Sequence, residues 1–187
     1  PQLPTAPTPA GQTGLEQDDE MREVFLEEAH EVLAGADQAL SALATAPEDL
    51  GELTTVRRAF HTLKGSARMV GLAAFGDAAW ACEQLYNRRL ADGQPADAEL
   101  LRLSSDLLTY LADWVEAIGT QREGGHNLAD IEAAIGHFGL RGEHTTLALP
   151  GAPVLLFEPT LPVGLTVELA PHPSAATSMP QVSTPMP

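Results

Sequence analysis

Apolar residues recur in steps of three and four across residues 20–140, the spacing that lines one stripe of a helix. Phe25, Ala29, Val32, Ala36, Leu40 and Leu43 predict a helix over 20–45, with Asp18 or Asp19 as its cap and Pro47 at its end. Leu53, Val56, Phe60, Leu63, Ala67 and Val70 predict a second over 53–70, stopped by Gly71 in a left-handed conformation. A third is expected over 72–91, burying Leu72, Phe75, Ala79, Cys82 and Tyr86 and ending near Gly93. A fourth covers 97–118 with Leu100, Leu103, Leu107, Leu111, Trp114 and Ile118 on one face and Gly119 behind it. A shorter fifth covers 128–138, capped by Asn127, striped by Leu128, Ile131, Ile135 and Phe138, and followed by Gly139.

Four long amphipathic helices with short connections imply antiparallel neighbours, so the expected class is all-α: an up-and-down four-helix bundle with an extra short helix. No alternating strand pattern competes within residues 20–140. Of the fifteen prolines, all but Pro47 and Pro95 lie in residues 1–9 or 150–187. That distribution divides the chain into a Pro-rich linker (1–17), the bundle (18–140) and a tail (141–187), the Pro-rich arms being read as flexible. Within the tail, residues 147–157 are apolar enough either to pack on the bundle or to form a strand. The chain opens on Pro1 rather than Met, so it is expected to be a piece of a longer protein.

Composition removes several functions. The 187 residues carry 26 Asp and Glu against 10 Lys and Arg, a net charge of -16 that disfavours nucleic acid and anionic membranes. One cysteine, Cys82, excludes an internal disulfide framework and any CxxC site, and its place on a core stripe suits a small buried hydrophobe. No apolar run approaches the ~20 residues of a membrane span. His30, His126, His137, His144 and His172 show no repeated metal-ligand spacing, and no GxxxxGKS loop or Gly-rich kinase box suggests a nucleotide site.

The second helix differs from the rest. Between Leu53 and Gly76 there is no acidic residue, yet the window holds Arg57, Arg58, Lys64 and Arg68, four of the ten basic residues and the chain's single lysine. At 100° per residue, His61 lies about a third of a turn from the core stripe, at the rim or outside it. Arg57, Lys64, Gly65 and Arg68 share its face, so an exposed imidazole is expected among cations that favour a bound anion such as phosphate. Gly65 costs roughly 1 kcal/mol relative to alanine within a helix, and no core packing requires it there. Its bare surface would let another protein approach the ring.

The run Phe60-His61-Thr62-Leu63-Lys64-Gly65-Ser66-Ala67-Arg68-Met69-Val70-Gly71 resembles the signature of histidine phosphotransfer (HPt) domains. More narrowly, it is similar to the HPt domains of CheA-like chemosensory kinases, including hybrid kinases with several HPt modules for type IV pilus control. The resemblance covers about residues 18–120. It implies that His61 accepts a phosphoryl group on Nε2, that Lys64 stands beside the phosphate with Arg68 helping to offset its charge, and that Gly65 opens the docking surface. Glu83 matches the glutamate that hydrogen-bonds the other ring nitrogen. Trp80 departs from the pattern, because many kinase-type domains place a polar residue, often His, near that point.

The resemblance further implies a cytoplasmic relay with no cofactor in this chain and no activity of its own. Mg²⁺ and ATP would come from the ATP-binding domain of a histidine kinase, and the acceptor would be a response-regulator receiver domain. Arg57, Gly65 and Arg68 are the expected docking residues. The competing reading is a pseudo-HPt bundle that kept the fold for docking and lost transfer; intact His61, Lys64 and Gly65 favour the relay. Taken singly, Glu83 reads as an ordinary surface acid, and Trp80 and Trp114 as core or rim packing.

Overall fold

A computed structural model describes residues 14–122 and 125–151, which form α1 Gly14–Thr45, α2 Leu50–Met69, α3 Ala73–Ala91, α4 Ala98–Gly119 and α5 Leu128–Arg141. The five helices and their order agree with the periodicity; their ends are set by local chemistry that periodicity does not carry. α1 begins at Gly14, inside the segment read as linker, so Asp18 and Asp19 lie within its first turns rather than capping it. α2 starts three residues before the expected Leu53. The Asp49 carboxylate accepts the backbone N–H of Gly51 at 2.8 Å and of Glu52 at 3.2 Å, two donors left unpaired at a helix start.

The turn from α2 to α3 fixes how those two helices pair. Gly71 has φ +79° and its N–H bonds the Arg68 carbonyl, while Leu72 N–H reaches the Ala67 carbonyl at 2.8 Å. This is a Schellman closure, which reverses the chain within two residues and makes α2 and α3 a tight antiparallel hairpin. α4 ends differently from expectation. Gln121, at φ 51°, takes the left-handed position, while Gly119 is the last helical residue. A Cβ at Gly119 would stand 3.3 Å from Leu26 Cδ1, so that glycine serves the α1–α4 contact instead. α5 is capped by Asn127, whose side chain accepts Asp130 N–H at 3.0 Å, and runs past Gly139 to stop at Gly142, φ 68°.

The stripes meet in one core of Phe25, Leu43, Leu53, Phe60, Leu63, Phe75, Tyr86, Leu103, Leu107 and their neighbours. Small shifts of face separate expectation from structure. Leu33 is buried in place of the expected Val32 and Val115 in place of Trp114, and Val70, Leu72, Trp114 and Ile118 are only partly buried. α1 contacts α2 and α4, and α2 contacts α3; α5 packs chiefly on α3 and also on α4, which touch each other least. α5 therefore fills the α3–α4 seam with Ile131, Ile135 and Phe138. The connections before α2 and before α4 are tied by Ala96 N–H to the Pro47 carbonyl at 2.7 Å.

Residues 142–149 form no strand and pack on the bundle, resolving one of the two alternatives for the described part of 147–157. His144 N–H donates to Glu99 at 2.9 Å, Leu147 N–H to Asp106 at 3.0 Å, and Leu147 and Leu149 lie against the core. The rest of that segment, the arm at 1–13 and the tail from 152 lie outside the described residues. No described helix is long and apolar enough to cross a membrane.

One polar pair sits in the core: Tyr86 OH and Ser104 Oγ, 2.7 Å apart and both buried, bridge α3 and α4. Removing one partner strands the other away from water. Tyr86→Phe is therefore expected to cost about 1–2 kcal/mol in denaturant unfolding, and Tyr86→Phe with Ser104→Ala less than the sum of the two single losses. Additive losses would show that the pair does not bond.

Candidate functional site

The α2–α3 hairpin builds the site. Positions equally far from its turn face each other, and His61 and Glu83 stand eleven residues either side of Leu72. The His61 side chain is 60% exposed, whereas that of Glu83 is 5% exposed. His61 Nδ1 lies 2.8 Å from Glu83 Oε1, and Lys64 Nζ donates to Glu83 Oε2 at 2.7 Å. Arg57 Nη1 stands 3.9 Å from Oε1, so both carboxylate oxygens face positive or donor groups.

Burial by itself would push the Glu83 carboxyl up. The hydrogen bonds from Lys64 and His61, with the charge on those groups, outweigh it and hold the carboxyl below its ordinary value of 4.5. At neutral pH Glu83 is therefore ionised and can only accept. Nδ1 therefore carries a proton towards Glu83, and in the neutral ring the lone pair lies on Nε2. Lys64 Nζ is also 3.4 Å from Nδ1; because that nitrogen spends its proton on Glu83 and has no lone pair to offer, this is proximity rather than a bond. The site is an imidazole whose Nδ1–H is held by a buried carboxylate, with Nε2 on the opposite edge of the ring.

The structure corrects one expectation from sequence. The face around His61 is not an unopposed run of cations, because α3 brings acids to it just beyond the acid-free window. Glu83 holds Lys64, and Asp77 Oδ1 accepts from Arg68 Nη2 at 2.8 Å. Glu83, a surface acid only when read singly, stands against His61 Nδ1 as the resemblance implies and is, with Ser104, one of two buried polar residues among those described. The structure brings together His61, Lys64, Glu83 and Arg57, and turns Arg68 towards Asp77. Gly65 is exposed, and a Cβ built on it would meet nothing within 4 Å. Beyond it on the same face, Met69 joins Met21 and Val24 of α1 along a shallow apolar groove.

Asp77 and Gly76 escape a reading of α2 alone. Their signal lies in the hairpin symmetry, since Arg68 and Gly76 stand four residues either side of Leu72. Elsewhere, His30 pairs with Glu116 of α4, His144 with Asp106, and His126 with Asp113 while stacking on Trp114. Among the described residues no group of three or more His, Cys, Asp or Glu could hold a metal ion. Cys82 is fully buried, which pushes its thiol up, and Trp80 is a rim residue, 47% exposed.

The profile of a family described as the Hpt domain matches residues 20–121, more than half of the chain. No curated protein matches it in sequence. Among solved structures, the chain is similar to the phosphorylated P1 domain of CheA3 in complex with CheY6 from R. sphaeroides. The TM-score is 0.55 at 21% identity, covering 64% of this chain and 98% of that one, a likeness of fold.

The Glu83 environment has a pH signature. A carboxyl whose folded value is depressed stabilises the fold fully above its unfolded value near 4.5, and loses that contribution as pH falls through the lower folded value. Glu83→Gln mimics the protonated form. The melting-temperature gap between the native protein and this variant should be constant above that range and narrow as the solution is acidified below 4.5. A gap independent of pH would show that the carboxylate charge is not stabilised in the fold.

Proposed function

The chain belongs to the Hpt domain family, and from that membership we propose that His61 is the phosphoryl acceptor of a relay in a CheA-like chemosensory system. The observation that carries the reading is the Nδ1–Glu83 hydrogen bond beneath an exposed imidazole. Phosphoryl transfer proceeds through a loose transition state, so positioning and charge account for most of the catalysis. Nε2 attacks the γ-phosphorus of ATP in line, the bond to the β-phosphate oxygen breaks, and ADP leaves with its Mg²⁺. No proton need leave Nε2, because the ring proton stays on Nδ1. As the N–P bond forms the ring gains positive charge, which the Glu83 carboxylate offsets, as a carboxylate does for the imidazole of hydrolytic triads. Lys64 orients that carboxylate and sets a cation beside the ring.

In the second step a receiver aspartate attacks the phosphorus and the N–P pair returns to Nε2. ATP and Mg²⁺ belong to the kinase ATP-binding domain, and the receiver supplies its own acidic metal pocket. Gly65 and the apolar strip of Met69, Met21 and Val24 form the docking face, with Arg57 and Arg68 at its edge. The Phe60–Gly71 run supports the narrower assignment to the hybrid kinases of type IV pilus control. A donor that uses ATP places the module in the cytoplasm.

Incubation with a CheA-type kinase core and radiolabelled ATP·Mg²⁺ tests the reading. Acid-labile, base-stable label is expected on the native protein and none on His61→Gln. Glu83→Ala should slow labelling by about tenfold, the scale on which an outer hydrogen bond tunes a ring nitrogen. Label retained in His61→Gln would reject the assignment. Gly65→Arg should keep the helical content and slow transfer to a receiver on the order of tenfold or more, since in-line geometry tolerates little displacement. Unchanged transfer would remove Gly65 from the docking face.

A further inference from the structure

The bond between His61 and Glu83 crosses from α2 to α3, so its length depends on how closely those helices lie. One heptad away, the two come into contact at Gly76. A Cβ there would stand 3.0 Å from Arg68 Cγ and 3.3 Å from the Lys64 carbonyl oxygen, the second being backbone that cannot swing aside. Gly76 is buried and helical and is not among the positive-φ glycines, so its backbone freedom is unused. Four other helical glycines differ: a Cβ at Gly35, Gly65, Gly136 or Gly139 would meet nothing within 4 Å. What Gly76 contributes is the absence of a side chain.

The register makes this contact relevant to the site. Gly76 precedes Glu83 by seven residues on α3, and Arg68 follows His61 by seven on α2. Seven residues return a helix to nearly the same face about 10 Å along its axis. The two contacts therefore lie on one seam, and the Arg68 side chain crosses Gly76 to bond Asp77 at 2.8 Å, clasping the helices there. A hydrogen bond of 2.8 Å is lost if the helices part by about 1 Å. We propose that Gly76 is a positioning residue for the phosphoryl acceptor: it lets α3 lie against the α2 backbone at the spacing that brings Glu83 to His61 Nδ1. The inference deepens the relay reading and rests on it for its bearing on transfer, though not for its geometry.

The test compares Gly76→Ala and Gly76→Val with the native chain, each alone and with Glu83→Gln. ¹⁵N NMR of the His61 ring reads the tautomer, and circular dichroism verifies the helices. Phosphoramidate serves as a chemical donor: Nε2 attacks phosphorus, the P–N bond breaks and ammonia leaves, so no partner domain is needed. In folded Gly76→Val, the signature of Nδ1–H with a free Nε2 should be lost and phosphorylation should slow about tenfold, with no further loss on adding Glu83→Gln. Gly76→Ala should move both readouts the same way by less, although alanine favours a helix. It decides the matter if the valine variant does not fold. A native tautomer and rate in the folded variants, or losses that add to those of Glu83→Gln, would overturn the proposal. A native chain that takes no phosphate would instead reject His61 as acceptor, and the ring spectrum would still decide Gly76.

Discussion

A carboxylate almost closed off from water must be compensated on every side, and Glu83 imposes that condition on the α2–α3 hairpin. Its two oxygens take a ring N–H from His61 and an ammonium from Lys64, with the Arg57 guanidinium near by. All three partners lie on α2, and the carboxylate lies on α3. The relative height of the two helices is thus specified as well as their separation. Gly71 sets the height through the Schellman turn, and the contact at Gly76 sets the separation.

The rest of the bundle keeps that geometry rigid. Phe60 and Leu63 flank His61 in sequence and are fully buried, so the backbone bearing the ring is anchored on its inner face. Tyr86 follows Glu83 by three residues, packs against Phe60 and bonds Ser104, holding α3 from the other side. The ring itself projects from this anchored backbone into solvent. Rigidity below and exposure above suit the proposed role, in which the ring presents one lone pair to visiting domains. The open surface at Gly65 continues the same division: the chain forgoes the helix propensity of alanine at a position where nothing in the bundle needs the space.

Much of the fold was legible because an apolar stripe runs along each of the five helices, and glycines at 71 and 93 take the left-handed turns their positions suggest. The errors share a cause. Periodicity locates a face to within about one residue, so Leu33 and Val115 replaced the adjacent Val32 and Trp114. Helix ends depend on capping bonds, so Asp49 moved one start and Gln121 replaced Gly119 at one stop. The charge map erred for a different reason. Charge along one helix omits its neighbour, from which Asp77 pairs with Arg68 and Glu83 with Lys64.

The sequence by itself determined a helical bundle, an imidazole near the rim of its second helix, a lysine one turn away and a bare glycine beside them. These are local facts, set by side-chain identity and a 3.6-residue period. Which nitrogen of the ring is free, whether the cations stand unpaired and why Gly76 carries no side chain were decided by the tertiary structure. Each depends on distances of about 3 Å between two helices, and that separation comes from how their packed faces and connecting turn fit together, which no pattern along a single stretch of sequence encodes.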